Sequence, residues 1–322
     1  MKLSEIYAPV QKDLVAVEAE LKLVSQVENP WLSELLEYTL KGGGKRVRPI
    51  LTLLSARSYN YSIDKLMPMA MAVELMHLAT LVHDDTIDNS AVRWSRPTIN
   101  KQWGTEQAVL LGDYLFAQSG ELVAKTDNLP VIKLLPHTLM IITSGEIAQS
   151  HSAFNLDQTR EHYLHRIASK TAALFILATE SGAILSDAPE EGVRIMRDYG
   201  HNLGIAFQIV DDILDFIGTE EEMGKPVGSD LSQGTLTLPA MLLLEHYPGA
   251  DNPIRQLFEA GGGEHYISQT IEQVRNSSII EECFEVTAGY CDRACHRLDQ
   301  LPDTEARRSL YELADFIINR RV

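Results

Sequence analysis

Apolar or small side chains recur every three or four residues through long stretches of this chain. Between 66 and 88, Met69, Val73, Met76 and Thr80 keep that spacing, and 161–185 and 193–217 follow the same rule. Each stretch predicts a helix with a buried face. Alternation of period two is scarce. Turn chemistry separates the periodic stretches at "KGGGKRVRP" (41–49), "TDNLP" (126–130), "SDAPEEG" (186–192), the long "GTEEEMGKPVGSDLSQGTLTLP" (218–239) and "YPGADNP" (247–253). No Ser/Gly/Pro linker divides the chain and no repeat of fixed period runs through it. The pattern predicts an all-α fold, a single-domain helical bundle over 1–322 with ten or more helices.

Composition adds a charge constraint. Hydrophobic residues make up 45% and charged residues 23%, as in a protein with a large core. Lys and Arg number 28 against 45 Asp and Glu, a formal net charge of −17 that argues against nucleic acid or an anionic membrane as partner. The first twenty residues lack the cationic start and apolar core of a signal peptide, and no uncharged apolar run approaches the roughly 18 residues of a membrane span, so no integral membrane segment is expected. Cys283, Cys291 and Cys295 are too few and too clustered for a disulfide framework, which fits a reducing, cytoplasmic setting.

The acidic residues concentrate at two places. "LVHDDTIDNS" (81–90) and "QIVDDILDF" (208–216) each contain Asp-Asp-x-x-Asp at the end of a greasy run, giving Asp84, Asp85 and Asp88, then Asp211, Asp212 and Asp215. With nineteen aspartates in the chain, one such motif is expected by chance only ~0.07 times. On a helix Asp84 and Asp88 lie about 40° apart and His77 within about 20° of Asp84. The same spacing puts Gln208, Asp211 and Asp215 on one face. Two such faces opposed across a cleft are tolerable only around cations, and all-oxygen ligation suits Mg²⁺ bridging carboxylates to substrate phosphates. A di-iron bundle would need two Glu-x-x-His motifs, and the chain offers one, "ELMH" at 74–77, which leaves Glu74 as a structural partner.

Against the acidic background stands "KGGGKRVR" (41–48), with four cations in eight positions. It is not a GxxxxGK[ST] phosphate loop, because Arg46 follows Lys45 where a hydroxyl is required. Its glycines still let backbone approach an anion, with Lys45 and Arg48 supplying charge. Arg93, Arg96, Lys170 and Lys225 also lie near polar turns. One anion held by metal and another by bare cations point to two phosphorylated ligands in one helical cavity.

With these motifs in place, "GGGKRVRP", "ELMHLATLVHDDTID", "PTINKQWGTEQAVLLGDYLF", "GEIAQ", "SKTAALF", "GIAFQIVDDILDF" and "GKPVGSDLSQGTLTLPA", in that order, the chain resembles the trans-isoprenyl diphosphate synthases, or polyprenyl synthetases, over nearly its whole length. The resemblance implies a helical bundle around a deep central cavity, usually as a homodimer. It implies Mg²⁺-dependent head-to-tail (1′-4) condensation of isopentenyl diphosphate with an allylic diphosphate. By position it implies Asp84, Asp88 and Asp211 as metal ligands, with Asp85, Asp212 and Asp215 beside them. Arg93, Lys170, Thr171, Gln208 and Lys225 correspond to the allylic diphosphate site, and Gly44, Lys45, Arg48 and His77 to the isopentenyl diphosphate site. Bulk just before the first Asp motif sets the cavity floor in this family; here Ala79 is small and Met76 is the next obstruction, so a product of C20 or longer is expected.

Two positions depart from the family pattern. Trp94 and Ser95 stand in "RWS" where Arg-Arg-Gly is usual, and Thr235 replaces a lysine common after "QG". A non-catalytic partner subunit of a heteromeric synthase is the alternative function, although such subunits usually lose aspartates. A class I terpene cyclase is disfavoured by "DDILD", where that class carries Asn/Asp, Ser/Thr and Glu at wider spacing.

Overall fold

The computed structural model describes residues 3–219 and 227–320. The main elements are α1 (Gln11–Leu23), α2 (Pro30–Leu40), α3 (Val47–Ala56), α4 (Ile63–Ile87), a hairpin of β1 (Val92–Arg93) and β2 (Arg96–Pro97), α5 (Thr105–Ala124), α6 (Leu129–His151), α7 (Arg160–Ile167), α8 (Ala173–Leu185), α9 (Glu190–Ile217), α10 (Leu238–His246), α11 (Glu264–Arg275), α12 (Ile279–Cys295) and α13 (Glu305–Ile318). Helix starts follow their chemistry. The Asn29 side chain accepts from the backbone N–H of Trp31 and Leu32 ahead of α2, Asn128 accepts from Val131 N–H in α6, and Thr304 accepts from Arg307 N–H in α13.

α4 is apolar nearly all round, the mark of a helix in the middle of a bundle. It packs against α3, α5 and α8, and its stripe Met69, Ala72, Met76 and Ala79 is fully buried. Two apolar clusters form the interior. The larger runs from the N-terminal helices through α4, α5 and α8; the smaller gathers α7, α10 and Cys283 of α12. α9 serves both, giving Ile195 and Leu203 to the first and Ile205, Ile209, Ile213 and Phe216 to the second.

The stretch 161–185, which its periodicity predicts as one helix, is broken by a π turn at Ala168–Ala172 between α7 and α8. Close packing holds this turn. A Cβ on Gly204 of α9 would lie 2.5 Å from the Ala172 Cα, and one on Gly145 of α6 would lie 2.7 Å from the Ser169 Cβ. Glycine at these positions lets two helices press on the turn from opposite sides. An inserted residue of this kind redirects the side chains beside it, and these are Lys170 and Thr171.

The β1–β2 hairpin turns on Trp94 and Ser95, at φ 50° and 59°. Positive φ at both central residues is the twist a two-residue hairpin connection favours. Ser95 adopts it where the resembled family uses glycine.

Apolarity exceeds what the sequence suggests. Ile63–Ile87, Leu129–His151 and Arg160–Leu185 are each long and apolar enough, by length and composition, to cross a membrane. The expectation of no integral membrane segment counted uncharged runs, and a few charged residues interrupt these helices without lowering their mean hydropathy below that of a span. In two of them the apolar window is 67% and 78% buried inside the protein, so it serves the core. Leu129–His151 is 28% buried and presents its apolar side chains outward.

Gly204→Ala is expected to cost about 2 kcal/mol or more, because the obstructing atom is backbone and cannot rotate away. A thermal melt of the purified variant, read against wild type, checks this; an unchanged melting temperature contradicts the packing described for the π turn.

Candidate active site

The last turn of α4 carries the first acidic motif. Lys170, turned inward by the π segment, places its Nζ 2.7 Å from Glu146 Oε1 of α6 and 3.5 Å from Asp84 Oδ2. Burial by itself would lower the Lys170 pKa, but Asp84 and Glu146 outweigh it and raise it, so the ammonium stays charged. Burial raises the pKa of Asp88 and of Glu146, and the charge of Asp84 adds to both shifts. Asp84, Asp88 and Glu146 thus share one ammonium and leave a net negative pocket of hard oxygen donors. Asp85 turns the other way: both its oxygens accept from Arg93 Nε at 2.9 Å, and Arg93 Nη2 lies 2.8 Å from Oδ1.

The second motif lies near the C-terminal end of α9, and its three aspartates diverge. Asp211 Oδ1 accepts from Arg320 Nη1 at 2.7 Å. Asp212 is buried, accepting from Tyr163 Oη at 2.7 Å and from Gln208 Nε2 at 2.8 Å. Gln208 Oε1 accepts in turn from Thr171 Oγ1 at 2.5 Å, which ties α9 to the π turn. Burial, and then repulsion from Asp230, pushes the Asp212 pKa up to about 7. Asp215 accepts from Ser229 Oγ at 3.1 Å and Asp230 N–H at 3.2 Å, anchoring the chain beyond α9. The shared face that spacing assigns to Gln208, Asp211 and Asp215 is therefore divided among three sets of partners.

The basic stretch splits into structural and uncommitted cations. Lys41 pairs with Glu37, and Arg46 reaches Glu74 at 2.6 Å, so Glu74 is a structural partner, as the single Glu-x-x-His motif implies. Among the described residues neither Lys45 nor Arg48 makes an ion pair. The Arg48 Nε is sealed from solvent and has no hydrogen-bond partner, while its guanidinium lies 5.3 Å from the Phe175 ring centroid. Burial lowers the Arg48 pKa to about 10, against the influence of Glu74 and Asp211. His77 is held well below its ordinary value by burial first and then by Arg48, Arg93 and Arg46, so its imidazole is neutral. Gly43 and Gly44 lead into this segment at φ 91° and 126°, a path open to glycine. The Trp94 indole covers Gly42, and Arg96 stacks 4.0 Å from the Tyr38 ring centroid rather than entering the site.

The two Asp-Asp-x-x-Asp motifs and the cations Lys45 and Arg48 are thus carried by one mostly helical fold. The sequence model described as Polyprenyl synthetase matches residues 29–274. The chain belongs to the polyprenyl synthetase family. It is 41% identical to heptaprenyl diphosphate synthase component 2 of Geobacillus stearothermophilus over 99% of each chain, and 32% identical to octaprenyl diphosphate synthase of Escherichia coli (strain K12), again over 99% of each. The crystal structure of a polyprenyl synthase from Caulobacter crescentus CB15, complexed with calcium and isoprenyl diphosphate, superposes with a TM-score of 0.95 at 32% identity, covering 100% of this chain and 98% of that one. The protein is a prenyltransferase of all-α fold from a family that elongates trans-prenyl diphosphates and uses a divalent metal.

The prenyltransferase has donors that fit such a metal. Among the described residues no three His, Cys, Asp or Glu side chains close on one point. An ion at Asp84 and Asp88, or at Asp211, would complete its shell with water and diphosphate oxygens, the usual habit of Mg²⁺. Of the residues assigned from sequence, Lys225 lies outside the described residues. Met76 and Ala79 are buried in α4, His77 lies on α4, Arg48 lies in the first turn of α3, and Gly44 and Lys45 lie on the segment leading into α3. Glu146, Tyr163 and Arg320 went unassigned. Glu146 sits within the quoted "GEIAQ", whereas Tyr163 and Arg320 carry no local signal.

Tyr163→Phe removes one of the donors to buried Asp212 and is expected to destabilise the fold by about 1–3 kcal/mol. The urea midpoint of unfolding measures this; a midpoint equal to wild type would mean that Asp212 does not depend on the phenol.

Proposed function

We propose that this prenyltransferase catalyses Mg²⁺-dependent head-to-tail (1′-4) condensation of isopentenyl diphosphate with an allylic diphosphate, giving an all-trans polyprenyl diphosphate of C20 or longer. The observation that carries the reading is the segregation of charge: a carboxylate pocket crossed by Lys170 at one place, and Lys45 with Arg48, neither in an ion pair among the described residues, at another.

The allylic diphosphate belongs at the first, where Asp84, Asp88 and Asp211 are the proposed metal ligands. Bound Mg²⁺ would supply positive charge for the diphosphate leaving group. Lys170 adds a fixed ammonium on the same side, and the Thr171–Gln208–Asp212 chain fixes the Gln208 amide. Arg93 reaches the site only if it shares its fork with Asp85. Isopentenyl diphosphate belongs at Lys45 and Arg48, where an anion would satisfy the orphaned Arg48 Nε–H; neutral His77 adds a hydrogen bond without a competing charge. Loss of diphosphate leaves an allylic carbocation, the isopentenyl double bond attacks it, and departing diphosphate removes the final proton. The apolar lining contributed by α4 keeps water from the cation. Product length is set where the chain meets Met76 and Ala79.

A homodimer is proposed from an exposed apolar face. Met140, Ile141 and Ile147 of α6 and Val109 and Leu110 of α5 are exposed on two helices that pack together, and exposed apolar surface on neighbouring elements favours a partner site. A second copy is the proposed occupant. Two relatives bear the name heptaprenyl diphosphate synthase component 2, 41% and 36% identical, which favours an unlike subunit as the second reading. The mass of the pure protein in solution and its activity alone separate the two. A cytoplasmic setting is proposed on the three free cysteines, whose thiol pKa values burial pushes up.

The test is to incubate pure protein with Mg²⁺, isopentenyl diphosphate and primers of several lengths and to size the products; no product from any primer rejects the reading. Asp84→Ala and Asp211→Ala are expected to lower turnover by about a hundredfold or more at saturating Mg²⁺, and near-normal rates would remove the metal assignment. Ala79→Phe is expected to shorten the product toward C15, since steric collision then costs about as much as the ~4 kcal/mol that burying another five carbons gains. An unchanged size distribution would place the floor elsewhere.

A further inference from the structure

The C-terminal helix brings a cation to the second acidic motif. Arg320 follows α13, held by its backbone N–H donating to Ile317 O, and its Nη1 lies 2.7 Å from Asp211 Oδ1. Its guanidinium sits 5.2 Å from the ring centroid of Phe207, one turn before Asp211 on α9. Beside it, a groove is lined by Lys45, Phe207, Phe316 and Arg320. After burial, the charge of Arg320 is the main influence lowering the Lys45 pKa, so the two cations face one another across it. The matched family segment ends at residue 274, and Arg320 lies beyond it.

We propose that Arg320 is an exchange cation: it occupies Asp211 while no metal is bound and moves to the diphosphate of isopentenyl diphosphate, beside Lys45, when a divalent metal takes Asp211. This rests on the function proposed above and adds a cation to the isopentenyl site, where Trp94 supplies none. A carboxylate oxygen engaged by a guanidinium is a poorer metal ligand. Both side chains of the pair are partly exposed, at 22% and 34%, so the contact opens without stranding a buried charge. Released, Arg320 meets Lys45, and only an anion relieves that repulsion. Metal and isopentenyl diphosphate are thereby coupled through one side chain, and the coupling acts equally in both directions.

Removing the guanidinium therefore has effects of opposite sign. In the full-length, substrate-free protein, Arg320→Gln is expected to bind Mn²⁺ about two- to fivefold more tightly, as measured by electron paramagnetic resonance of the free ion, because a competitor of exposed-pair strength is gone. In steady-state assays at saturating Mg²⁺ it is expected to raise the KM for isopentenyl diphosphate by about tenfold or more, the scale of one charge-assisted contact, with the allylic KM unchanged. Arg320→Lys recovers most of that KM. Loss of helix packing alone would weaken both. Unchanged or weaker Mn²⁺ binding overturns the exchange, and so does an unchanged isopentenyl KM. Absence of turnover in the wild-type protein overturns the prenyl-transfer reading instead, and the Mn²⁺ titration then decides the exchange.

Discussion

Lys170 is the charge on which the site depends. Asp84 and Asp88 on α4 and Glu146 on α6 would repel one another in a partly desolvated cleft, and the pKa values of Asp88 and Glu146 are already raised by burial and by Asp84. One ammonium between Glu146 and Asp84 makes the cluster tolerable. It can do so only because the chain inserts a residue at Ala168–Ala172, and that insertion survives only because Gly145 and Gly204 let α6 and α9 close on it. Two glycines with no chemistry of their own thus govern where the cation stands.

The helices and the composition of the two motifs were legible in the sequence because both are local. A period of 3.6 fixes which residues are neighbours on a helix, and it locates the buried stripe of α4. It does not say what faces each side chain. Asp85, Asp212 and Asp215 share their motifs with the proposed metal ligands, yet each is bound elsewhere: to Arg93, to Tyr163 and Gln208, and to Ser229 with the Asp230 N–H. Apart from Gln208, which shares α9 with Asp212, those partners come from other parts of the chain. The π turn is likewise set by tertiary packing against glycines on two other helices, so 161–185 reads as continuous. Arg320 is 109 positions from Asp211, and no spacing rule reaches that far.

Charge bookkeeping in "KGGGKRVR" shows how structure refines composition. Four cations in eight residues read as one basic patch, but two are neutralised at fixed addresses, Lys41 by Glu37 and Arg46 by Glu74. The Arg46 pair docks the segment onto α4, and this docking is what holds Arg48 over Phe175 and near His77. The structural ion pair and the uncommitted cation are neighbours in sequence because the first positions the second.

The two halves of the site therefore store opposite electrostatic costs. At the aspartates, carboxylates exceed the cations around them; at Arg48 a sealed Nε–H lacks an acceptor among the described residues, and its charge adds to the burial that holds His77 neutral. Each cost would be relieved by a ligand of the missing sign; Asp211 acts on Lys45 and Arg48 from a distance but forms no ion pair with either among the described residues. A protein selected only for stability would pair or remove such groups. Their presence on helices means that a ligand of the proposed kind would recover free energy that folding gives up.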